Sequence, residues 1–470
     1  MYYLEYLKKW IINHYGLSVA IIMVFAFLLR LCMLGIGGYS SDSAGYYTAA
    51  INIVNGNGYS LCTEKPFYPF YFREPLTSYS MAFVIWIANL FLKVDYIDYP
   101  STLVITDMQP YHQYFLFYIR LFSVLLQLFS IYLFFLTLRK KSNDMFAIVF
   151  FLICALYLPL IVHTSLVLRE PYVFFLLSVI SYLWCKYLDN RNYIYMAFIA
   201  LVNGLLCLFL QIYWLLAIFI FFFMFWALHK EMVIFFKHCL LYFVFFSLPI
   251  IPHIYKVYQY YPDIRIIKTL GTALTYECVS GYDAYRAFGI SPWSAKDGDL
   301  SNGMITHSEY FDPHNAAKLF KYSFNGTFQT EAERLNDANT KERIWGYKLD
   351  KVLQSFRNTI FMVGITYDYG ALKGRFSKKD ILKFLIVLPS LLFGVFGLIG
   401  FFPFLKKYWL YVPVLLYHSF FFFVYGDEER RQIMLVPYLI CIVMLLIWKM
   451  FKSKKQYFEC VFADKLHIFC

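Results

Sequence analysis

Long apolar runs separated by short basic links dominate this chain. Runs long enough to cross a hydrocarbon core ~30 Å thick fall at 16–36, 114–138, 145–162, 171–187, 193–210, 212–228, 237–254, 381–404, 408–425 and 431–449. Each predicts a helix, because only a helix pairs its own backbone groups where water is absent. A further run at 76–92, LTSYSMAFVIWIANLFL, opens on a polar turn and is at the short limit for a span.

The basic links decide how these runs are threaded. Lys8 and Lys9 precede the first run, Arg139, Lys140 and Lys141 follow the second, and Lys186 and Arg191 follow 171–187. Lys230 and Lys237, Lys406 and Lys407, and Lys449, Lys452, Lys454 and Lys455 mark later links. Basic links collect on the cytoplasmic side. All of these can do so only if the segment 37–113 crosses an even number of times. The simplest solution is that it does not cross, which makes 76–92 a juxtamembrane or re-entrant helix on the outer side. The first run has a basic flank and no small-residue cleavage site after it, as a retained first span would.

The expected fold class is therefore an all-α polytopic membrane protein with about ten transmembrane helices. Residues 1–254 form an N-terminal transmembrane module whose first outer loop is 37–113. Residues 255–380 form an extracytoplasmic domain of mixed or helical structure, with turn clusters such as SAKDGDLSNG and a polar helical pattern over 331–357. Residues 381–450 hold the C-terminal spans and 451–470 a cytoplasmic tail. No internal repeat or low-complexity tract is visible.

Composition agrees: 60% hydrophobic, 22% aromatic and only 15% charged, with mean hydropathy +0.55. A soluble domain does not carry this balance. The net charge of +12 lies mostly in short links, which fits anchoring at an anionic leaflet and excludes a basic nucleic-acid-binding domain. Ten cysteines form no CxxC pair and no cluster at metal spacing. Cys154, Cys185, Cys207 and Cys441 fall inside apolar runs as small hydrophobes. Cys62 and Cys278 share the outer side, and only topology favours their pairing.

Candidate chemistry begins at SDSAGYYTAAINIVNGNGYS, residues 41–60, just beyond the first run. Asp42 precedes a short helical pattern, and Asn55-Gly56-Asn57-Gly58 is a turn. An acid at this border either caps the helix or serves chemistry. Other charged residues fall on the same side. Arg73-Glu74-Pro75 precedes 76–92, and Arg120 lies about two turns inside the second span. Arg169-Glu170-Pro171 opens the fourth span, where proline and an acid also suit a helix start. Asp427, Glu428, Glu429, Arg430 and Arg431 precede the last span, where arginines run against the charge rule unless they anchor a loop or meet an anion. One carboxylate with several guanidinium groups suits a transfer from a phosphate. The carboxylate takes a proton from an acceptor hydroxyl, and the cations hold the leaving phosphate. A single displacement at the sugar carbon inverts it.

In order, these pieces resemble the GT-C superfamily of polytopic glycosyltransferases, and within it the protein O-mannosyltransferase and aminoarabinose transferase branch. That branch carries D-[ST]-x-x-Y-x-x-x-A-x-N-[LI]-x-x-G-x-G-[YF]-S after its first span, matched by Asp42, Ser43, Tyr46, Ala50, Asn52, Ile53, Gly56, Gly58, Tyr59 and Ser60. An R-x-P is matched by Arg73 and Pro75, and a Y-x-x-R-L-x-S-like context, with shifted spacing, by Tyr118, Arg120, Leu121 and Ser123. Glu170-Pro171 matches an [ST]-E-P segment, and Glu429, Arg430, Arg431 and Pro437 match E-R-[YR]-x-x-x-x-x-P. The resemblance implies that Asp42 is the catalytic base and that Arg120, Arg430 and Arg431 contact donor phosphate. It also implies that Arg73, Tyr46 and Glu170 line the substrate site. The donor would be a polyprenyl-phosphate sugar, and the acceptor a glycolipid, glycan or protein hydroxyl. The reaction would run on the outer face of a bacterial plasma membrane. No cofactor is implied, although Asp42, Glu170 and Glu429 are oxygen ligands suited to a divalent cation.

The chain departs from the branch in three places. Gln211-Ile212-Tyr213 stands where an Arg-Pro is frequent, Arg169 replaces a serine, and Arg73-Glu74-Pro75 stands where the aminoarabinose branch has Lys-Pro. These changes bear on donor identity. Two other function classes stay open. A flippase of lipid-linked sugars predicts related halves with interrupted spans and midplane charge, and no repeat is visible. A surface polysaccharide ligase or polymerase predicts a large late outer loop, for which 255–380 is available.

Overall fold

A computed structural model describes residues 6, 9–11, 13–36, 39, 41–69, 74–100, 105–142, 144–260, 395–397, 399–406, 408–425 and 434–452. The expected outer domain beyond Tyr260, the tail beyond Lys452, and Arg73, Cys278, Glu429, Arg430 and Arg431 lie outside the described residues. The helices are α1 (Tyr15–Met33), α2 (Ser41–Val54), α3 (Leu76–Leu92), α4 (Pro110–Lys141), α5 (Asp144–Leu156), α6 (Leu158–His163) and α7 (Glu170–Asn190). They continue with α8 (Tyr193–Phe209), α9 (Trp214–Leu228), α10 (Met232–Tyr260), α11 (Val395–Lys406), α12 (Pro413–Tyr425) and α13 (Val436–Lys452). Among the described residues there is no strand, only an isolated bridge between Ser60 and Pro69.

Among the described residues, four helices are long and apolar enough to cross a membrane: Tyr15–Met33, Pro110–Lys140, Glu170–Asn190 and Met232–Val257. Within the expected spans at 145–162, 193–210, 212–228 and 431–449 the described residues form shorter apolar helices of 10–17 residues. The run at 408–425 holds a 13-residue helix, and the run at 381–404 is described only from Val395. The run at 145–162 divides into α5 and α6 for a local reason. Pro159 has no N–H, so it cannot bond the Ala155 carbonyl one turn back. By contrast α10 is longer than its apolar run and continues to Tyr260.

The core is a layered helix bundle. α7 packs between α4 and α8, α10 packs along α8, α1 rests on α4 and α5, and α13 rests on α5. Wholly buried Trp184 on α7 donates its indole N–H to the Leu410 carbonyl at 2.9 Å, tying the late helices to the early ones. α8 and α10 approach at Gly204, where an added Cβ would sit 2.6 Å from Pro249 Cγ and closer still to the Phe246 carbonyl. Small residues permit such contacts between membrane helices. Gly204→Ala is expected to cost about 1–3 kcal/mol by overpacking, seen as a lower melting temperature of detergent-purified protein.

A second contact holds the broken run together. Arg30 on α1 is fully buried. Its Nη1 donates to the Ala155 carbonyl at 3.0 Å, the group orphaned by Pro159, and to the Ala26 carbonyl at 3.1 Å. Its Nε donates to Gln127 Oε1 on α4 at 2.8 Å. Gln127 Nε2 in turn donates to the Leu160 carbonyl at 2.6 Å. The Thr164 N–H bonds the Ile161 carbonyl at 3.2 Å, tightening the turn that ends α6. The two side chains thus satisfy backbone groups that water does not reach.

The two ends of the bundle differ in chemistry. At one end Arg139 pairs with Asp144 at 3.0 Å and lies 4.2 Å over the Tyr15 ring. Lys140 pairs there with Asp189, and Arg191 with Glu231. The basic links after α4, α7 and α9 therefore meet at the end where α1 begins. The opposite end carries α2, α3 and the starts of α4 and α7.

Candidate functional site

α2 opens at Ser41, so Asp42 is its second residue, inside the first turn and not before it. An acid there complements the helix dipole. Much of the motif that follows builds the platform holding this helix. Gly56 and Gly58 adopt φ of 81° and 79°, which residues with a Cβ rarely do. Buried Asn52 saturates its amide. Its Nδ2 donates to the Ser60 and Cys62 carbonyls at 2.8 and 2.9 Å, and its Oδ1 accepts from Asn57 at 3.1 Å and from the Tyr99 hydroxyl at 2.6 Å. Asn55 exchanges both bonds with the Ile97 backbone, at 2.7 and 3.2 Å. Cys62 is buried in this platform, and burial pushes its thiol pKa up, as for an inert packing residue.

Tyr46 is buried at 5% exposure in a cluster with Ile85 of α3, Phe115 and Ile119 of α4, and Val167 in the link before α7. This cluster draws together the segments carrying the candidate residues. The contacts of α3 on α4 in this cluster, Phe115, Leu116 and Ile119, lie within the first three turns of α4.

Arg120 is the eleventh residue of α4, deeper than the apolar pattern indicated because the helix begins at Pro110. The 32-residue helix is about 48 Å long, so its ends project beyond a ~30 Å core. Arg120 is 6% exposed and does not snorkel. Its Nη1 donates at 3.2 Å to the Leu34 carbonyl at the end of α1, at the entry to the segment bearing Asp42.

Glu170 opens α7 with Pro171 behind it. It is 3% exposed, and its Oε2 has no hydrogen-bond partner among the described residues. Its neighbour Arg169 lies 3.7 Å from Glu74, so the two Arg-Glu-Pro tripeptides meet across the chain. Tyr172, in the first turn of α7, stacks on Phe209 with centroids 5.4 Å apart. Of the expected site residues, the structure places Asp42, Tyr46, Arg120 and Glu170 at one end of the bundle. Among the described residues no group of three His, Cys, Asp or Glu is placed to hold a metal. The acidic trio considered above includes Glu429, which lies outside them.

Three features of this end of the bundle and its centre carry no motif in the sequence. One is Arg30, whose only signal was a cation in an apolar run. Another is the Glu74–Arg169 pair, hidden because each acid had an adjacent arginine. The last is a hydrogen-bonded chain at the start of α4, buried at Tyr47 and His112. There the Tyr47 hydroxyl meets His112 Nδ1 at 2.9 Å, and His112 Nε2 meets Asp98 Oδ1 at 3.0 Å. Tyr111 also bonds Asp98.

No protein-family model and no curated protein sequence matches the chain. Solved structures do. One is the archaeal oligosaccharyltransferase AglB from Archaeoglobus fulgidus, in complex with an inhibitory peptide and a dolichol-phosphate. The match has 13% identity and a TM-score of 0.51 over 97% of this chain and 53% of that one. Another is the Archaeoglobus fulgidus oligosaccharyltransferase in the apo form, at 11% identity and a TM-score of 0.50 over 95% and 52%. The chain thus spans about half the length of the structures it matches. At this identity the likeness is one of fold: the chain is an integral membrane protein, mostly helical over the described residues, with a fold similar to that of the archaeal oligosaccharyltransferases.

Proposed function

We propose that this protein is a membrane glycosyltransferase that moves a sugar from a polyprenyl-phosphate-linked donor to an acceptor hydroxyl, with inversion. One observation carries the reading. α2, with Asp42 in its first turn, gathers with buried Arg120 and Glu170 at one end of a bundle folded like an oligosaccharyltransferase. That neighbour was solved with a dolichol-phosphate and a peptide, a lipid phosphate and a polymer of the kinds a donor and an acceptor would supply.

In the proposed step Asp42 accepts the proton of the acceptor hydroxyl. The acceptor oxygen bonds to the anomeric carbon as the carbon–oxygen bond to phosphate breaks. The electron pair leaves with the phosphate, whose charge grows by one as a diester becomes a monoester. Guanidinium groups suit that charge because they offer paired donors in a fixed plane. Arg73, Arg120, Arg430 and Arg431 fill this role in the proposal, with Tyr46 and Glu170 holding the sugar. The transferred unit is a hexose or pentose, and the acceptor a glycolipid, glycan or protein. The site faces outward from a bacterial plasma membrane, and about ten helices span it.

Mass spectrometry of glycans and glycolipids, with and without the protein, tests the reading. Purified protein is also to be assayed for release of polyprenyl phosphate from synthetic polyprenyl-phosphate hexoses and pentoses. No missing glycoform and no donor consumption would sink it. A reporter fused after Asp95 is expected to read extracytoplasmic. A cytoplasmic signal there would put α3 across the bilayer and separate Asp42 from Arg120.

A further inference from the structure

We infer that His112 is a positioning residue that sets the rotation of α2, and with it the aim of Asp42, through Tyr47. The inference rests on the reading of Asp42 as the base. Three segments meet at this histidine: Tyr47 on α2, His112 in the first turn of α4, and Asp98 in the link between α3 and α4. Tyr47 and His112 are buried, at 0% and 1% exposure, whereas the Asp98 side chain is 57% exposed. The Asp98 carboxylate only accepts, so in the neutral ring Nε2 carries the hydrogen and donates it. Nδ1 is then bare and accepts from the Tyr47 hydroxyl. Asp98 therefore selects the tautomer that receives Tyr47. The rings of Tyr47 and His112 also meet edge to face, with centroids 5.7 Å apart.

The position of Tyr47 gives this chain its leverage. Asn52 and Asn55 fix the far end of α2 to the platform. Tyr47 lies five residues after Asp42, about 7.5 Å along the axis. A helix held at its far end by Asn52 and Asn55 and at its middle by Tyr47 is restrained from rolling. The Tyr47 bond is directional, whereas the apolar contacts around it are not. A small misplacement of a base is costly, since ~1 Å can lower a rate 10²-fold.

The test uses full-length protein in nanodiscs, with Tyr47→Phe, His112→Phe and His112→Gln. Tyr47→Phe keeps the buried ring, and glutamine can both donate and accept. Hydrogen exchange in the first half of α2 is expected to quicken roughly fivefold in both Phe variants, the effect of one lost net hydrogen bond. Exchange in α7 and α8 should stay native. With the polyprenyl-phosphate sugar consumed by the native protein, kcat should fall about 10- to 100-fold while the donor KM holds. His112→Gln should recover most of the loss, and the Tyr47→Phe/His112→Phe double variant should be no slower than either single one. Native α2 exchange, native kcat, or quickened exchange spread through α7 and α8 would each overturn the inference. Asp42→Asn, run alongside, separates the two readings. If it is inactive while Tyr47→Phe is native, only the role of His112 falls. If Asp42→Asn is fully active, or the native protein consumes no donor, the assignment of the base falls first.

Discussion

Asp42→Asn is expected to lower sugar transfer by about 10²- to 10⁴-fold, the usual contribution of a general base. Asparagine has the shape of aspartate but cannot take the acceptor proton. It also sits acceptably in the first turn of α2, where the charge contributes about 0.3–1 kcal/mol through the helix dipole. The platform of Asn52, Asn55, Gly56 and Gly58 is untouched, so the variant should purify and melt like the native protein. The measurement is single-turnover transfer from a polyprenyl-phosphate sugar, with donor binding followed separately. Donor affinity should hold while the chemical step slows. Asp42→Glu should be slow but measurable, because the carboxylate is kept and displaced. Transfer at a near-native rate in the asparagine variant would return Asp42 to a helix-end role and move the base elsewhere.

Arg30→Met should be the most destabilising single change at the bundle's centre, by about 2–4 kcal/mol. The estimate combines several unpaired polar groups at about 1–3 kcal/mol each with partial relief from a well-packed apolar side chain. The change leaves the Ala155 carbonyl and Gln127 Oε1 without the partner they now have. Neither group can turn to water. Arg30→Met/Gln127→Leu should be less destabilised than the sum of its parts, since the two side chains act as one unit. Thermal melts of detergent-purified variants would decide. A native melting temperature for Arg30→Met would show that the α5–α6 break satisfies its own carbonyls. Arg30→Lys should recover part of the loss, because an ammonium can reach one carbonyl but lacks the planar fork that serves α4 and α5 together.

The helices were legible to different degrees. α1, α4, α7 and α10 stand out in the apolar pattern because a span's length and composition are local properties. The α5–α6 break was written in Pro159, but that signal is easily lost inside an apolar run. At the candidate site the chain pointed to Asp42, Arg120 and Glu170 by charge out of place. It pointed to Gly56 and Gly58 as turn residues and to Asn52 by resemblance alone, and the structure gives these three a definite task in building the platform. It did not point to Tyr47, His112 or Asp98. A histidine and a tyrosine in an aromatic-rich chain are ordinary until their partners are known.

The sequence by itself determined that this is a helical membrane protein with its basic links on one side and a polar, acid-bearing loop on the other. Hydropathy and loop charge act residue by residue, so their sum can be read along the chain. The tertiary structure decided which groups answer one another. It joined Glu74 to Arg169, Tyr47 to His112, and Arg30 to a carbonyl 125 residues away. It also turned Arg120 toward the end of α1, where apolar spacing would have left its head at the membrane surface. No helical period encodes such pairs. They form because buried donors and acceptors must find partners, and packing alone determines which partners are within reach.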